Sequence, residues 1–143
     1  MVGVVRRRAC RYLKVSEPMG QSILLVGHCG VDGPRLQRDI SAGVPGSEVV
    51  RVNSSGDLAE RLSEGRADLL LVNREPVGFE GDGMDIVREV LAKHPETRVM
   101  LVSDLEEAQE EAVAAGAMRG FGKRLMGTKE LVEEVERGLG GDR

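Results

Sequence analysis

Tryptophan is absent from this chain, and its 143 residues include one tyrosine and two phenylalanines. So few rings argue against a stacking platform for nucleic acid, which needs successive aromatic faces, and they leave the core to aliphatic side chains. Cysteine is almost as scarce. Cys10 and Cys29 cannot make a disulfide framework and suit a reducing compartment. Together with His28 and His94 they lack the spacing of a metal-ligand set. Long apolar runs are missing too: no stretch approaches the roughly 20 residues that a membrane span requires. The short run at 2–5 is followed by charges, where a secretory signal would place its apolar segment. A cytoplasmic protein without membrane association is expected.

What the chain does have is charge, unevenly spread. The formal net charge is −4. Residues 1–20 carry Arg6, Arg7, Arg8, Arg11 and Lys14 against Glu17 alone, so this arm is basic and the remainder strongly acidic. An acidic body is a poor nucleic-acid binder, because phosphate neutralisation needs clustered Lys and Arg. The organisation expected is a basic, flexible arm over 1–20 and one folded domain over 21–143, with Met19 as a candidate start of the folded unit.

The body alternates two periodicities. Short apolar runs at 22–26, 48–52, 68–72 and 98–102, with a weaker fifth at 118–122, suit parallel strands covered on both faces. Helical patterns lie between them. Asp32 is a candidate cap for a helix to residue 44, Ser54 or Ser55 for one to 64, and Ser103 with Glu106 reads as a capping box for one to 115. Helices over 83–93 and 129–139 complete a (βα)₅ order, the last with Thr128 as its cap candidate. Right-handed crossovers then favour a doubly wound, five-stranded parallel sheet of order 2-1-3-4-5.

In such a sheet, ligands gather beyond the carboxyl ends of the strands at the switch in strand order. That rule selects Gly27 and His28, Asn73, Ser103 and Lys123. Each has an alternative explanation: Asn73 suits a strand-to-loop corner, Ser103 a helix cap, and Lys123 the surface. Gly27, Gly30 and Gly33 form GxxGxxG, which lacks the spacing of a dinucleotide site and the Lys-Ser/Thr of a P-loop.

The run at 99–103, followed by 112–117 leading into Phe121-Gly122-Lys123, resembles the second half of a response-regulator receiver domain, a flavodoxin-like fold. The resemblance covers residues 22–140. It implies an acidic pair after the first strand, a phosphoacceptor aspartate ending the third, a Ser or Thr ending the fourth, and a lysine ending the fifth. Ser103 and Lys123 match. Gly27 and His28 stand at the acidic-pair positions and Asn73 at the acceptor position. Arg124 replaces a proline, and Gly120 stands where a switch aromatic is usual, with Phe121 displaced by one.

Receiver phosphorylation transfers a phosphoryl group to a carboxylate beside a divalent cation. Mg²⁺ wants oxygen ligands. Gly27 offers none, His28 offers nitrogen, and Asn73 is neutral, so neither Mg²⁺ nor any other cofactor is expected, and Lys123 is expected to lack a carboxylate partner. The reading is a non-enzymatic pseudo-receiver that has lost its phosphoacceptor and serves two-component or related signalling as a protein-interaction module. The resemblance places its partners, signalling proteins, against the fourth helix, fifth strand and fifth helix, with homodimer formation left open. Glu106, Glu107, Glu110 and Glu111 on that helix would steer a basic surface. Two alternatives stay open: a small-anion or nucleotide-sensing pocket at the strand ends, and a receiver phosphorylated on another carboxylate such as Glu75, Asp82 or Asp104.

Overall fold

The computed structural model describes residues 20–140. The basic arm and Met19 therefore lie outside the described residues, Gly20 excepted. Five strands, β1 (Ser22–Val26), β2 (Glu48–Val52), β3 (Leu69–Asn73), β4 (Val99–Val102) and β5 (Met118–Phe121), alternate with five helices. These are α1 (Asp32–Gly43), α2 (Ser55–Ser63), α3 (Gly83–Lys93), α4 (Glu106–Ala114) and α5 (Lys129–Gly140), with a 3₁₀ turn at Lys123–Leu125. The strands pair in parallel in the order β2-β1-β3-β4-β5, the doubly wound topology that the apolar runs predict.

Side-chain alternation along each strand divides the core in two. Ile23, Leu25, Leu69 and Leu71 pack with Leu36 and Ile40 of α1 and Leu131 and Val135 of α5. Leu24, Val26, Leu70 and Val72 face the other way, onto Leu58 of α2, Val87 of α3 and Ala112 of α4. Every residue of β1 and β3 is buried, which is why 23–26 and 69–72 are continuously apolar. No helix among the described residues is long and apolar enough to cross a membrane.

The structure moves several boundaries. The third strand begins at Leu69, because the Asp68 carboxylate turns aside to accept the Ser22 amide at 2.7 Å. Asn73 is then the last residue of β3 itself. Ser54 caps α2 as expected, accepting the Asp57 amide at 3.1 Å, while α3 opens on an Asp82–Asp85 capping box. Asp32 is no cap: Val31 holds that position, without a side-chain bond, and Asp32 is the first helical residue. Nor does Ser103 form a box with Glu106. The helix starts later, with Leu105 at its cap position, and the Ser103 hydroxyl accepts the Leu105 amide at 3.1 Å.

The pairing of β4 with β5 slips. Met100 faces Met118 and Val102 faces Phe121, a shift in register that leaves β5 with one residue more than β4 between the paired positions. A strand carrying an extra residue bulges, and glycine is the residue that tolerates close backbone approach there. A Cβ on Gly120 would lie 2.1 Å from the Leu101 carbonyl oxygen. The bulge accounts for the displacement of Phe121, which is buried on the α1/α5 side of the sheet.

Candidate functional site

The carboxyl edge of the sheet is organised around Gly27. Its φ of 76° lies in the left-handed region that side chains with a Cβ avoid. Its amide donates to the Val52 carbonyl at 2.9 Å, and its carbonyl accepts the Val77 amide at 2.8 Å. The loop after β3 thus lies directly against the turn after β1: a Cβ at position 27 would fall 2.4 Å from the Pro76 Cβ.

Asn73 fastens the same two loops from below. Its Nδ2 donates to the Gly27 carbonyl and the Glu75 carbonyl, both at 3.0 Å. Both amide hydrogens are engaged, and the residue is 5% exposed. A carboxylate could make neither bond.

His28 is fully buried. Its Nε2 lies 2.9 Å from the Leu71 carbonyl, an acceptor only, so the ring is the neutral Nε2–H tautomer. Nδ1 is buried without a hydrogen-bond partner. Burial, chiefly, pulls the His28 pKa from 6.5 to about 4, because a charged ring there would be desolvated. The residue supports the turn from within. Its carbonyl accepts the Asn53 amide group at 3.2 Å, and Arg51 donates to the Cys29 carbonyl at 3.4 Å, so the end of β2 also holds this loop.

Asn73, Ser103 and Lys123 do come together. With Arg74, Glu75 and Asp104 they line an open pocket of about 220 Å³ between the ends of β3 and β4. Gly27 and His28 are not among its walls. The expectation that Lys123 lacks a carboxylate partner is corrected here: its ammonium lies 3.0 Å from Asp32 Oδ2. Asp32 is free to reach it because it does not cap α1, and the Lys123 hydrogen bond holds its carboxyl below the ordinary range. The ion pair is a half-exposed one, worth little in water.

The other carboxylates raised by the sequence have partners. Glu75 meets Arg74 at 3.5 Å, Asp104 meets Arg124 at 3.7 Å, and Asp82 is the α3 cap. The magnesium that the resemblance brings with it does not fit this donor set. Gly27 has no side chain, the His28 ring is turned to Leu71, and the Asn73 amide hydrogens point at carbonyl oxygens. Among the described residues no three His, Cys, Asp or Glu side chains are grouped as a metal site.

Two residues with structural influence on this edge escape a reading of sequence. Asp32 looks like a helix cap. Gln109 looks like one more polar residue of an acidic helix, yet it is 3% exposed; its only signal is its spacing from Ala112, also buried, on the apolar stripe of α4.

No family model matches the chain, and no curated protein sequence matches it significantly. Solved structures do resemble it. A response regulator from Thermotoga maritima superposes with a TM-score of 0.72 at 17% identity, over 86% of this chain and 100% of that one. An orphan response regulator of H. pylori gives 0.69 at 22% identity, over 85% and 99%. The signal receiver domain of a DNA-binding response regulator from Colwellia psychrerythraea 34H gives 0.68 at 18%, over 85% and 99%. With the strand order, the two-sided core and the convergence of Asn73, Ser103 and Lys123 at one edge, these likenesses establish that the chain has the response-regulator receiver fold.

Proposed function

We propose that this chain is a receiver-like signalling domain that acts without phosphorylation, as a protein-interaction module in two-component or related signal transduction. The observation that carries the reading is the closure of the edge around Gly27. Pro76 occupies the space a side chain at 27 would need, and Asn73 spends both amide hydrogens tying the two loops together. A phosphoacceptor requires a free carboxylate and a bound divalent cation at this edge, and the residues here favour a sealed turn instead. Its partners are signalling proteins, met through α4, β5 and α5.

Incubation of the chain with a small-molecule phosphodonor and Mg²⁺, followed by intact-mass measurement, is expected to leave the mass unchanged. An acid-labile phosphate on the wild-type chain overturns the reading. Asn73→Asp is expected to gain no phosphate either, and to lose about 1–2 kcal/mol of stability at pH 7, since a carboxylate in place of the amide would face the Gly27 and Glu75 carbonyl oxygens and donate to neither.

The face expected to meet partners carries two kinds of acidic residue. All four glutamates of α4 are exposed, but Glu106 is engaged by Arg119 and Glu111 by Arg88, whereas Glu107 and Glu110 form no ion pair within 4.0 Å among the described residues. Joint substitution Glu107→Lys and Glu110→Lys is expected to change the melting temperature little while weakening recovery of a basic partner. Equal recovery by the two chains excludes this face.

A further inference from the structure

The pocket at the strand ends and the α4–β5–α5 surface are separated by one short wall. Ser103 and Asp104 line the pocket, and the same two residues line a cleft of about 350 Å³ on the other side, between α4, β5 and α5. Any influence of the pocket on that surface by way of the β4–α4 turn passes through this wall.

Gln109 clamps it. From its buried place on α4, Nε2 donates to the Leu101 carbonyl at 2.9 Å and to the Ser103 carbonyl at 3.0 Å. Its Oε1 accepts the Gly120 amide at 2.8 Å. One side chain thus joins β4, the β4–α4 turn and the bulge of β5, and all three polar atoms it binds are backbone. The bulge itself admits no alternative side chain, since a Cβ at Gly120 would strike the Leu101 backbone. Just past the end of β5 the Asp104 carboxylate lies over Gly122, where a Cβ would also collide.

We infer that Gln109 is a bracket that insulates the α4–β5 surface from the strand-end pocket and holds it in one conformation. The inference deepens the phosphorylation-independent reading and rests on it for its place in signalling. A buried amide that bonds three backbone groups resists displacement, because moving it breaks all three bonds at once. A surface held in this way is presented to a partner continuously. The Ser103 hydroxyl, in the wall itself, is also engaged, by the Leu105 amide.

The test is amide NMR on the full chain. With Gln109 intact, the pocket substitution Asn73→Ala is expected to leave the Arg119 and Gly120 amide shifts unmoved. In a Gln109→Leu background the same substitution is expected to move them. Gln109→Leu alone is expected to speed Gly120 amide exchange about tenfold or more relative to Leu71, which reports global opening. Movement of Gly120 by Asn73→Ala in the presence of Gln109, or no response in its absence, overturns the bracket, as does unchanged Gly120 exchange. Should Gln109→Leu fail to fold, relaxation dispersion on the wild type decides. Flat profiles at Ser103, Leu105 and Gly120 support one conformation, and microsecond-to-millisecond exchange there overturns it. Phosphate uptake with Gly120 unmoved removes the proposed function and leaves the bracket standing; no uptake with a mobile Gly120 does the reverse.

Discussion

Gly27→Asp, the substitution that would begin to rebuild an acidic pair, is expected to destabilise the protein by about 3 kcal/mol. Two terms add. A residue with a Cβ is strained at the φ of 76° seen here, by about 1–2 kcal/mol. The new Cβ would also lie 2.4 Å from the Pro76 Cβ and 2.8 Å from its Cα, an overlap that forces the two loops apart at a further 1–3 kcal/mol or so. Urea unfolding should register the change as a lower midpoint, with a fall in Tm of about 10 °C. Adding Pro76→Gly should recover part of the loss, because it removes the nearest atom while leaving the backbone strain. A loss below about 1 kcal/mol, or no recovery in the double variant, would show that the turn is not closed in this way.

Acid should unfold the protein earlier than its carboxylates alone dictate, through His28. In the folded chain the ring takes a proton only near pH 4, while the unfolded ring does so near its ordinary value of about 6.5. Between these values the unfolded state binds the extra proton, so stability rises with pH across the window. The contribution is fully present above about pH 6.5, declines as the pH falls, and is spent near pH 4. Its size, from the separation of the two values, is about 3 kcal/mol. Asp32 has a depressed pKa as well, but that contribution is lost only as the pH falls below the ordinary carboxylate range. His28→Gln preserves a donor to the Leu71 carbonyl and cannot charge. Unfolding free energies of the two chains should therefore diverge in slope between pH 6.5 and 4 and run parallel above it. A resonance assigned to the His28 imidazole by its loss in His28→Gln, titrating near 6.5 in the folded wild type, would remove the basis for this expectation.

The fold is legible because it rests on local patterns. The runs at 23–26 and 69–72 are apolar at every position since both faces are covered, and Ser54 announces α2 by the side chain that caps it. The site is legible only in part. Asn73, Ser103 and Lys123 can be placed by the strand-end rule, which depends on topology alone. The partner of Lys123 cannot, because Asp32 carries the composition of a helix start and only the geometry of the preceding turn sends its carboxylate across the edge. The failed Ser103–Glu106 box has the same origin. Its spacing is right, but the Ser103 hydroxyl accepts the Leu105 amide, its own amide donates to the Phe121 carbonyl, the Glu106 carboxylate is held by Arg119, and α4 begins later. The slip in β5 is a property of pairing, hinted at only by the Gly120-Phe121-Gly122 sequence and the aromatic one place out of step.

That slip also bears on how the molecule behaves in a crowded solution. A sheet's outermost strands offer unpaired backbone groups to any passing chain, and fibrils begin by such addition. β5 is one of those borders, and its bulge breaks the even row of donors and acceptors that a visiting strand would need. At the opposite border β2 places Glu48 and Arg51 among its valines, so a newcomer would meet charge there. The irregularity that shifts the aromatic of the fifth strand by one place thus also guards the protein against templated aggregation.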